Sequence, residues 1–177
     1  MGSFLGRAQA LARGGGFTLI EVVVVVCIVA VLFGAGLDRL LRYQELAERT
    51  AVELNLAAIN VSLTSKFAAL VAAGRGDSIE SEVNANPVKL LLRPPENYLG
   101  ELYSPAPEQL IPRSWYYDPG SGDLVYVTNR KRYLSVSGQP ADRLRFGVVL
   151  SPPSTAGIRE LRQPFIAPRQ AYVWIIG

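Results

Sequence analysis

The sequence predicts an α+β protein in which one long N-terminal helix, membrane-spanning in its first half, packs on a small antiparallel β-sheet. Three observations support this prediction. Residues Phe17 to Leu37 form an apolar run with Glu21 as its single charged side chain. Residues Asp38 to Ala73 contain no proline or glycine and are rich in helix-forming side chains. From Ser114 onward, short segments rich in tyrosine and valine alternate with turn residues, as strands do.

The apolar run is long enough to cross a lipid bilayer. At about 1.5 Å of rise per residue, a helix from Phe17 to Leu37 covers the roughly 30 Å of a hydrocarbon core. A carboxylate in such a segment costs at least about 2.5–3.5 kcal/mol to insert, so Glu21 is expected to have a specific partner. A secretory signal fits poorly, because its small residues follow the apolar core, whereas Gly14 to Gly16 precede this one. An ordinary signal anchor is the other alternative, although it has no need of Glu21.

A short motif stands at the start of the run, where residues Gly16 to Glu21 read GFTLIE. This motif resembles the processing site of type IV pilins and of the pseudopilins of type II secretion. The resemblance implies that a prepilin peptidase cuts between Gly16 and Phe17, that Phe17 is N-methylated, and that the helix packs into a filament. It also implies that Glu21 pairs with the N-terminal amine of a neighbouring subunit during assembly. A helix start carries positive partial charge, so a carboxylate suits that place.

The same resemblance implies a location and a set of partners. The chain is expected to cross the bacterial inner membrane once, with its C-terminal domain in the periplasm, and then to enter a pilus or a pseudopilus. The expected partners are prepilin peptidase, other pilin or pseudopilin subunits, the inner-membrane assembly platform and membrane lipid. Nucleic acid is not expected as a partner. No cofactor or metal is implied, and the fold is expected to be pilin-like.

One residue departs from the family pattern. The twenty-second position after the expected cut, usually proline in the family, is Asp38 here. Without proline the helix is expected to stay continuous where many filament subunits unwind. This departure favours a minor subunit over a major one.

The chain is predicted to contain five segments. The segments are a leader (1–16), a transmembrane or filament-core helix (17–37), the exported half of the long helix (38–76), an irregular connecting region (77–113) and an antiparallel β-sheet region (114–177).

Within the membrane helix, Ala30 and Gly34 form a small-xxx-small pair that suits close helix packing.

Two apolar rows mark the exported half of the helix. Two rows predict two packing partners, with the chain's own sheet covering the second and neighbouring subunits covering the first. A single wide core face is the alternative. Glycines at 74 and 76 are predicted to end the helix. The first row repeats every seven residues and consists of Leu40, Ala47, Leu54, Val61 and Ala68; the second consists of Leu56, Ile59, Leu63, Phe67 and Leu70.

The sheet region is predicted to be an antiparallel meander. Its hairpins are expected at 118–123 and 129–132, where turn-forming residues cluster. The preceding region is punctuated by prolines, and short helices are expected there at 89–92 and 107–110. The predicted strands cover residues 114–117, 124–128, 133–137, 144–150 and 171–176.

The composition argues against an enzyme. The chain contains no histidine, which excludes histidine-based triads and histidine-ligated zinc sites. Its single cysteine, Cys27, lies in the apolar run, so the exported domain has no internal disulfide. Asp118 and Asp123 are interpreted as turn residues in preference to a catalytic or metal-binding pair. The loop from 151 to 170 offers only Glu160 as an acidic ligand, so no metal site is predicted.

Charge leaves two alternative functions open. Loss of the leader removes Arg7 and Arg13, which leaves 16 basic and 15 acidic side chains of the original 18 and 15. The sheet region is the more basic part, and DNA capture by a competence-type minor pilin would use Arg130 to Arg132 with Trp115 or Tyr116. A solvated turn with contacts between subunits is the preferred interpretation. The second alternative is a plain signal-anchored periplasmic binding protein.

Overall fold

The computed structural model describes residues 17–83, 85–129, 131–137, 139–152 and 162–175. These residues form one long helix and a small, mostly antiparallel sheet structure, which confirms the α+β class. The chain divides into two compact units, Met1–Leu41 and Arg42–Gly177. The helix is α1 (Leu19–Ala72), and the strands are β1 (Tyr98–Glu101), β2 (Ser114–Asp118), β3 (Asp123–Val127), β4 (Leu134–Val136), β5 (Gln139–Pro140), β6 (Arg143–Leu150), β7 (Pro164–Pro168) and β8 (Tyr172–Trp174).

The first unit contains the apolar half of α1. The side chains from Phe17 to Leu37 are exposed along this part of the helix. Its length and composition allow it to cross a membrane. The helix continues through Asp38 without a break, as the absence of proline there predicts.

The helix ends where its glycines predict. Gly74 has a positive φ of 73°, a conformation that glycine adopts without steric cost. Its N–H donates to the Val71 carbonyl at 3.0 Å, and the Arg75 N–H donates to the Leu70 carbonyl at 2.8 Å. These two bonds define a Schellman motif, which satisfies carbonyl groups that the helix itself leaves unpaired.

The strands of the second unit form two sheets. The larger sheet has the order β1-β2-β3-β6-β7 and the smaller has the order β5-β4-β8. Strand β1 runs parallel to β2, and the other pairs are antiparallel. The hairpin predicted at 118–123 is confirmed: Asp118 pairs with Asp123 across it, and Gly122 has a φ of 70°.

The predicted single meander is wrong. Strand β3 pairs with β6 instead of β4, so the expected hairpin at 129–132 instead leads from the larger sheet to the smaller one. Strands β1, β5 and β7 were not predicted, and β1 lies in the region expected to be irregular. That region also contains 3₁₀ helices at Pro87–Leu90 and Pro107–Gln109, close to the two short helices expected there, and a third at Gly76–Glu82.

The main core lies between α1 and the inner face of the sheets. Val52, Ile59 and Leu63 pack there against strand residues such as Trp115 and Phe146. Because side chains alternate along a strand, the next residues face outward. A smaller cluster covers this outer face: Tyr116, Val125 and Val127 pack against Leu99, Leu102 and Leu110.

The two apolar rows of α1 have different surroundings. In the second row, Ile59, Leu63 and Leu70 are buried and the other two members are partly buried, as predicted for the face covered by the sheet. All five residues of the first row are exposed, and Leu54 and Val61 each keep 66% of their surface accessible. A single wide core face is therefore excluded.

Candidate functional site

The first turn of α1 brings Thr18 and Glu21 together. Thr18 precedes the helix, and its Oγ1 accepts a hydrogen bond from the Glu21 N–H at 3.3 Å. Its carbonyl accepts from the N–H groups of Glu21 and Val22 at 3.0 and 3.2 Å. Thr18 is thus the N-cap, and the Thr-x-x-Glu spacing is that of a capping box. The sequence alone contains this spacing, at Thr18 and Glu21.

The carboxylate of Glu21 lies at the positive end of the helix dipole. This position favours a negative side chain even in an isolated chain. Within the described residues the carboxylate is exposed and contacts no cation. Phe17, the expected mature N-terminus, is exposed as well. Gly16 and the predicted leader, residues 1–16, lie outside the described residues.

Ala30 and Gly34 lie on an open surface of α1. Both are exposed, and a Cβ added to Gly34 would meet nothing within 4 Å. No other element of the described chain packs there. Their role in close helix packing stays a prediction.

An exposed stripe without charge runs along the second unit's part of α1. At about 100° per residue its members fall within a sector of about 120°. It covers roughly seven helical turns, and the charged neighbours Arg49 and Glu53 lie beside it, paired with each other at 2.8 Å. We call it the charge-free stripe; its residues are Tyr43, Leu46, Ala47, Thr50, Leu54, Ala57, Ala58, Val61, Ser65 and Ala68.

Two buried glutamates lie on the opposite side of α1. Glu45 is 2% exposed, and its Oε1 accepts from the Tyr133 N–H at 3.0 Å and the Trp174 Nε1–H at 3.1 Å. Glu48 is 1% exposed, and its Oε1 accepts from the Asn129 N–H at 2.8 Å and the Tyr126 hydroxyl at 3.0 Å. These bonds offset the cost of burying charge.

The two glutamates fix the segment between the two sheets. Glu48 holds its start at Asn129, and Glu45 holds its end at Tyr133. Burial raises the pKa of Tyr126 strongly, and the nearby Glu48 carboxylate raises it further, while Arg113 opposes both. The Tyr126 hydroxyl therefore stays protonated and remains a donor to Glu48.

The hairpin aspartates have structural roles. Asp118 Oδ1 accepts from the Gly120 N–H at 3.0 Å, which confirms its interpretation as a turn residue. Asp123 is buried and pairs with Arg169 at 2.7 Å and with Arg145 at 3.5 Å. The guanidinium group of Arg169 crosses strand β6 over Gly147, where a Cβ would collide with it. This cluster was not predicted from the sequence, although a lone glycine within a strand, as in β6, can indicate such a close approach.

The structure removes the stacking component of the DNA alternative. Trp115 and Tyr116 are each 1% exposed, so neither ring is open to a base. Trp115 instead stacks within the core against Tyr126, with ring centroids 4.8 Å apart. Lys131 and Arg132 are exposed, but neither of these two rings can add base stacking beside them.

In the described part of the chain, no three acidic or cysteine side chains are grouped so that they could bind a metal ion. Glu160, the one acidic residue of the 151–170 loop, lies outside that part.

Comparison with protein families, curated proteins and solved structures finds no match to this chain. Function is therefore argued from the residues and geometry given above.

Proposed function

We propose that the chain is a structural subunit, minor and not enzymatic, of a type IV pilus or a type II secretion pseudopilus. On this proposal prepilin peptidase cuts after Gly16 at the inner membrane, and Phe17 is methylated. The second unit then lies in the periplasm until the assembly platform extracts the subunit into the filament. Two observations support this function: the GFTLIE motif at residues 16–21 and the charge-free stripe on α1.

The charge-free stripe is the observation that carries this proposal. It belongs to the unit that would lie outside the membrane, where apolar side chains are normally covered or interrupted by charges. A long exposed surface of uncharged and mostly apolar side chains marks a site of association. Its helical spacing fits a second helix, and the exposed apolar half of α1 in another copy of the chain is such a helix. A filament subunit needs this surface, whereas a solitary anchored protein does not.

The motif adds direction to the assembly. Cleavage would create a positive amine at Phe17, and Glu21 at the end of the motif would be the fifth residue of the mature chain. Attraction between that amine and the carboxylate of a neighbouring subunit is about 4 kcal/mol at 4 Å for an effective dielectric near 20, before desolvation. Such a pair would favour one axial register between subunits.

Processing provides the first test. Gly16 has no side chain, so its extended backbone fits a narrow protease cleft, and Gly16→Val is expected to leave the leader attached. Gly16→Ala, the smallest change, serves as the matched control and should be cut more slowly than wild type but faster than the valine variant. Intact-mass measurement on membrane-extracted protein gives the N-terminus in each case. An uncut wild-type chain, or a normally cut valine variant, would exclude the proposal in favour of a plain signal-anchored binding protein.

A further inference from the structure

The outer face of the larger sheet is only partly covered. Its β2–β3 part is packed by the smaller apolar cluster described above. On β6, Leu144 and Phe146 point into the main core, so the residues at odd positions face outward. On β7, Ile166 lies in the core, whereas Phe165 faces outward and is 40% exposed. The β6–β7 part of the outer face is therefore accessible.

Three arginines lie on this accessible part, and we call Arg143, Arg145 and Arg169 the arginine face. The buried Asp123 pairs with both Arg145 and Arg169, and it holds their guanidinium groups side by side. Arg143 is partly exposed and forms no ion pair with any described residue. Three guanidinium groups against one carboxylate leave a net charge of +2, or +1 if the adjacent, exposed Asp142 is included.

Negative charge is concentrated beyond the C-terminal end of α1. The 3₁₀ helix Gly76–Glu82 reads GDSIESE, with three acidic residues and no basic one, and we call it the acidic segment. No stretch of equal length elsewhere in the chain holds three acidic residues without overlapping this one. Even with Arg75, which precedes it, the net charge is −2. Its Ile79 is buried, so the segment is anchored to the second unit.

One copy of the chain cannot bring these two surfaces together. Arg143 pairs with Val127 on β3, two residues before Asn129, which is bonded to Glu48 of α1. The rest of α1, from Glu48 to Ala72, is about 36 Å long at about 1.5 Å of rise per residue, and the acidic segment follows it. An ion pair needs a separation of about 4 Å. The opposite charges thus lie at different levels of the same unit.

We infer that the arginine face of one copy binds the acidic segment of a second copy. The inference rests on the proposed filament function and adds a second contact to that of the charge-free stripe. A contact between two different surfaces of identical subunits is heterologous, and it can continue from copy to copy as a filament requires. It also gives the assembly a direction, because a copy docked in the inverted orientation brings like charges together.

Charge reversal at the two surfaces tests the inference. With the full chain, Arg143→Glu is expected to lower incorporation into filaments at least about tenfold, because like charges would then meet. Glu80→Arg/Glu82→Arg should lower it for the same reason. A chain with all three changes again has opposite charges at the contact and should recover most of the loss. Arg93→Glu reverses an exposed charge outside both surfaces and should assemble like wild type.

A zero-length cross-link identifies the contact directly. Arg143→Lys keeps the charge and introduces an amine, which a carbodiimide joins to a carboxylate that touches it. In filaments mixed from isotope-labelled and unlabelled chains, mass spectrometry should find position 143 linked to the acidic segment of the other copy. High salt during the reaction should weaken this link.

The outcomes separate this contact from the filament function itself. A wild-type chain that enters no filament overturns both. Normal incorporation of Arg143→Glu, or the absence of the cross-link in filaments that do form, overturns the contact and leaves the filament function standing. If Arg143→Glu assembles normally but loses binding to added DNA, the arginine face belongs to a nucleic acid instead.

Discussion

Glu21 has two possible duties at a single position, and they can be separated chemically. Its place in the first turn, three residues after the cap Thr18, suits a capping box that either glutamate or glutamine can complete. Pairing with another subunit's amine requires the charge. A glutamine at position 21 can still complete the capping box, but it cannot form the charged pair with the amine.

We predict that Glu21→Gln and Glu21→Val both insert into the membrane, since each removes a charge that is costly to insert. Both are expected to enter filaments poorly, because neither can pair with the Phe17 amine of a neighbour. The measurement is incorporation of tagged subunits into filaments at matched membrane levels. If the glutamine variant assembles like wild type while the valine variant does not, Glu21 acts as a capping residue and not as an assembly residue.

A charge introduced into the charge-free stripe of α1 is predicted to affect assembly without affecting folding. Leu54 is exposed, so Leu54→Lys should change the free energy of unfolding by no more than about 0.5 kcal/mol. The same change places a charge in the middle of the proposed helix contact and should strongly lower incorporation into filaments.

A second exposed leucine supplies the control. Leu92 is 100% exposed and lies outside α1, so Leu92→Lys makes the same chemical change away from the stripe. We expect it to assemble like wild type. Equal loss in both variants would trace the defect to added charge in general and would remove the stripe from the proposed interface.

An element can be predicted from the sequence when residues within or next to it determine its structure. The end of α1 and the first hairpin follow from glycines that take positive φ at Gly74 and Gly122, and both were predicted. Strand β7 begins and ends with proline, which argues against a strand unless it lies at an edge, as it does here. Strand β1 is four residues long and contains Gly100, so its pattern is too weak to identify.

Nonlocal contacts explain what was missed in the candidate site. Glutamate is usually solvent-exposed, so composition alone indicates a solvated face for Glu45 and Glu48. Their spacing of three residues, continued by Val52 and Ile59, places them on the buried side of the helix, and that periodicity was available in the sequence. Their donors are not readable from it, because they come from three separate parts of the sheet region.

Substitution of two buried tryptophans, Trp115 and Trp174, would test how the helix and the sheets are held together. Trp174 donates its Nε1–H to Glu45, whereas the Nε1 of Trp115, within the described residues, has no hydrogen-bond partner. Replacement by phenylalanine removes the same atoms at both sites. We predict that Trp174→Phe costs about 1.5–3 kcal/mol more than Trp115→Phe, the value of a hydrogen bond to a charged group.

Urea unfolding of a fragment that begins at Asp38 would measure the difference between the two variants. Trp115→Ala and Trp174→Ala should each cost about 3–5 kcal/mol, because both side chains fill the main core. Equal costs for the two phenylalanine variants would show that the Glu45 bond adds no stability. If both alanine variants lose less than about 1 kcal/mol in free energy of unfolding, the two tryptophans do not fill the main core as described.

The bond between Glu45 and Trp174 joins residues that are 129 positions apart in the chain. A chain that crosses the membrane N-terminal part first delivers the glutamate early and the tryptophan late. Until strand β8 has emerged, β4 lacks one of its two neighbours and Glu45 lacks one of its donors. Contacts of such long range also form slowly. If the second unit is exported as proposed, it would therefore pass through a period with an open second sheet and an exposed carboxylate, during which periplasmic chaperones and proteases would have access to it.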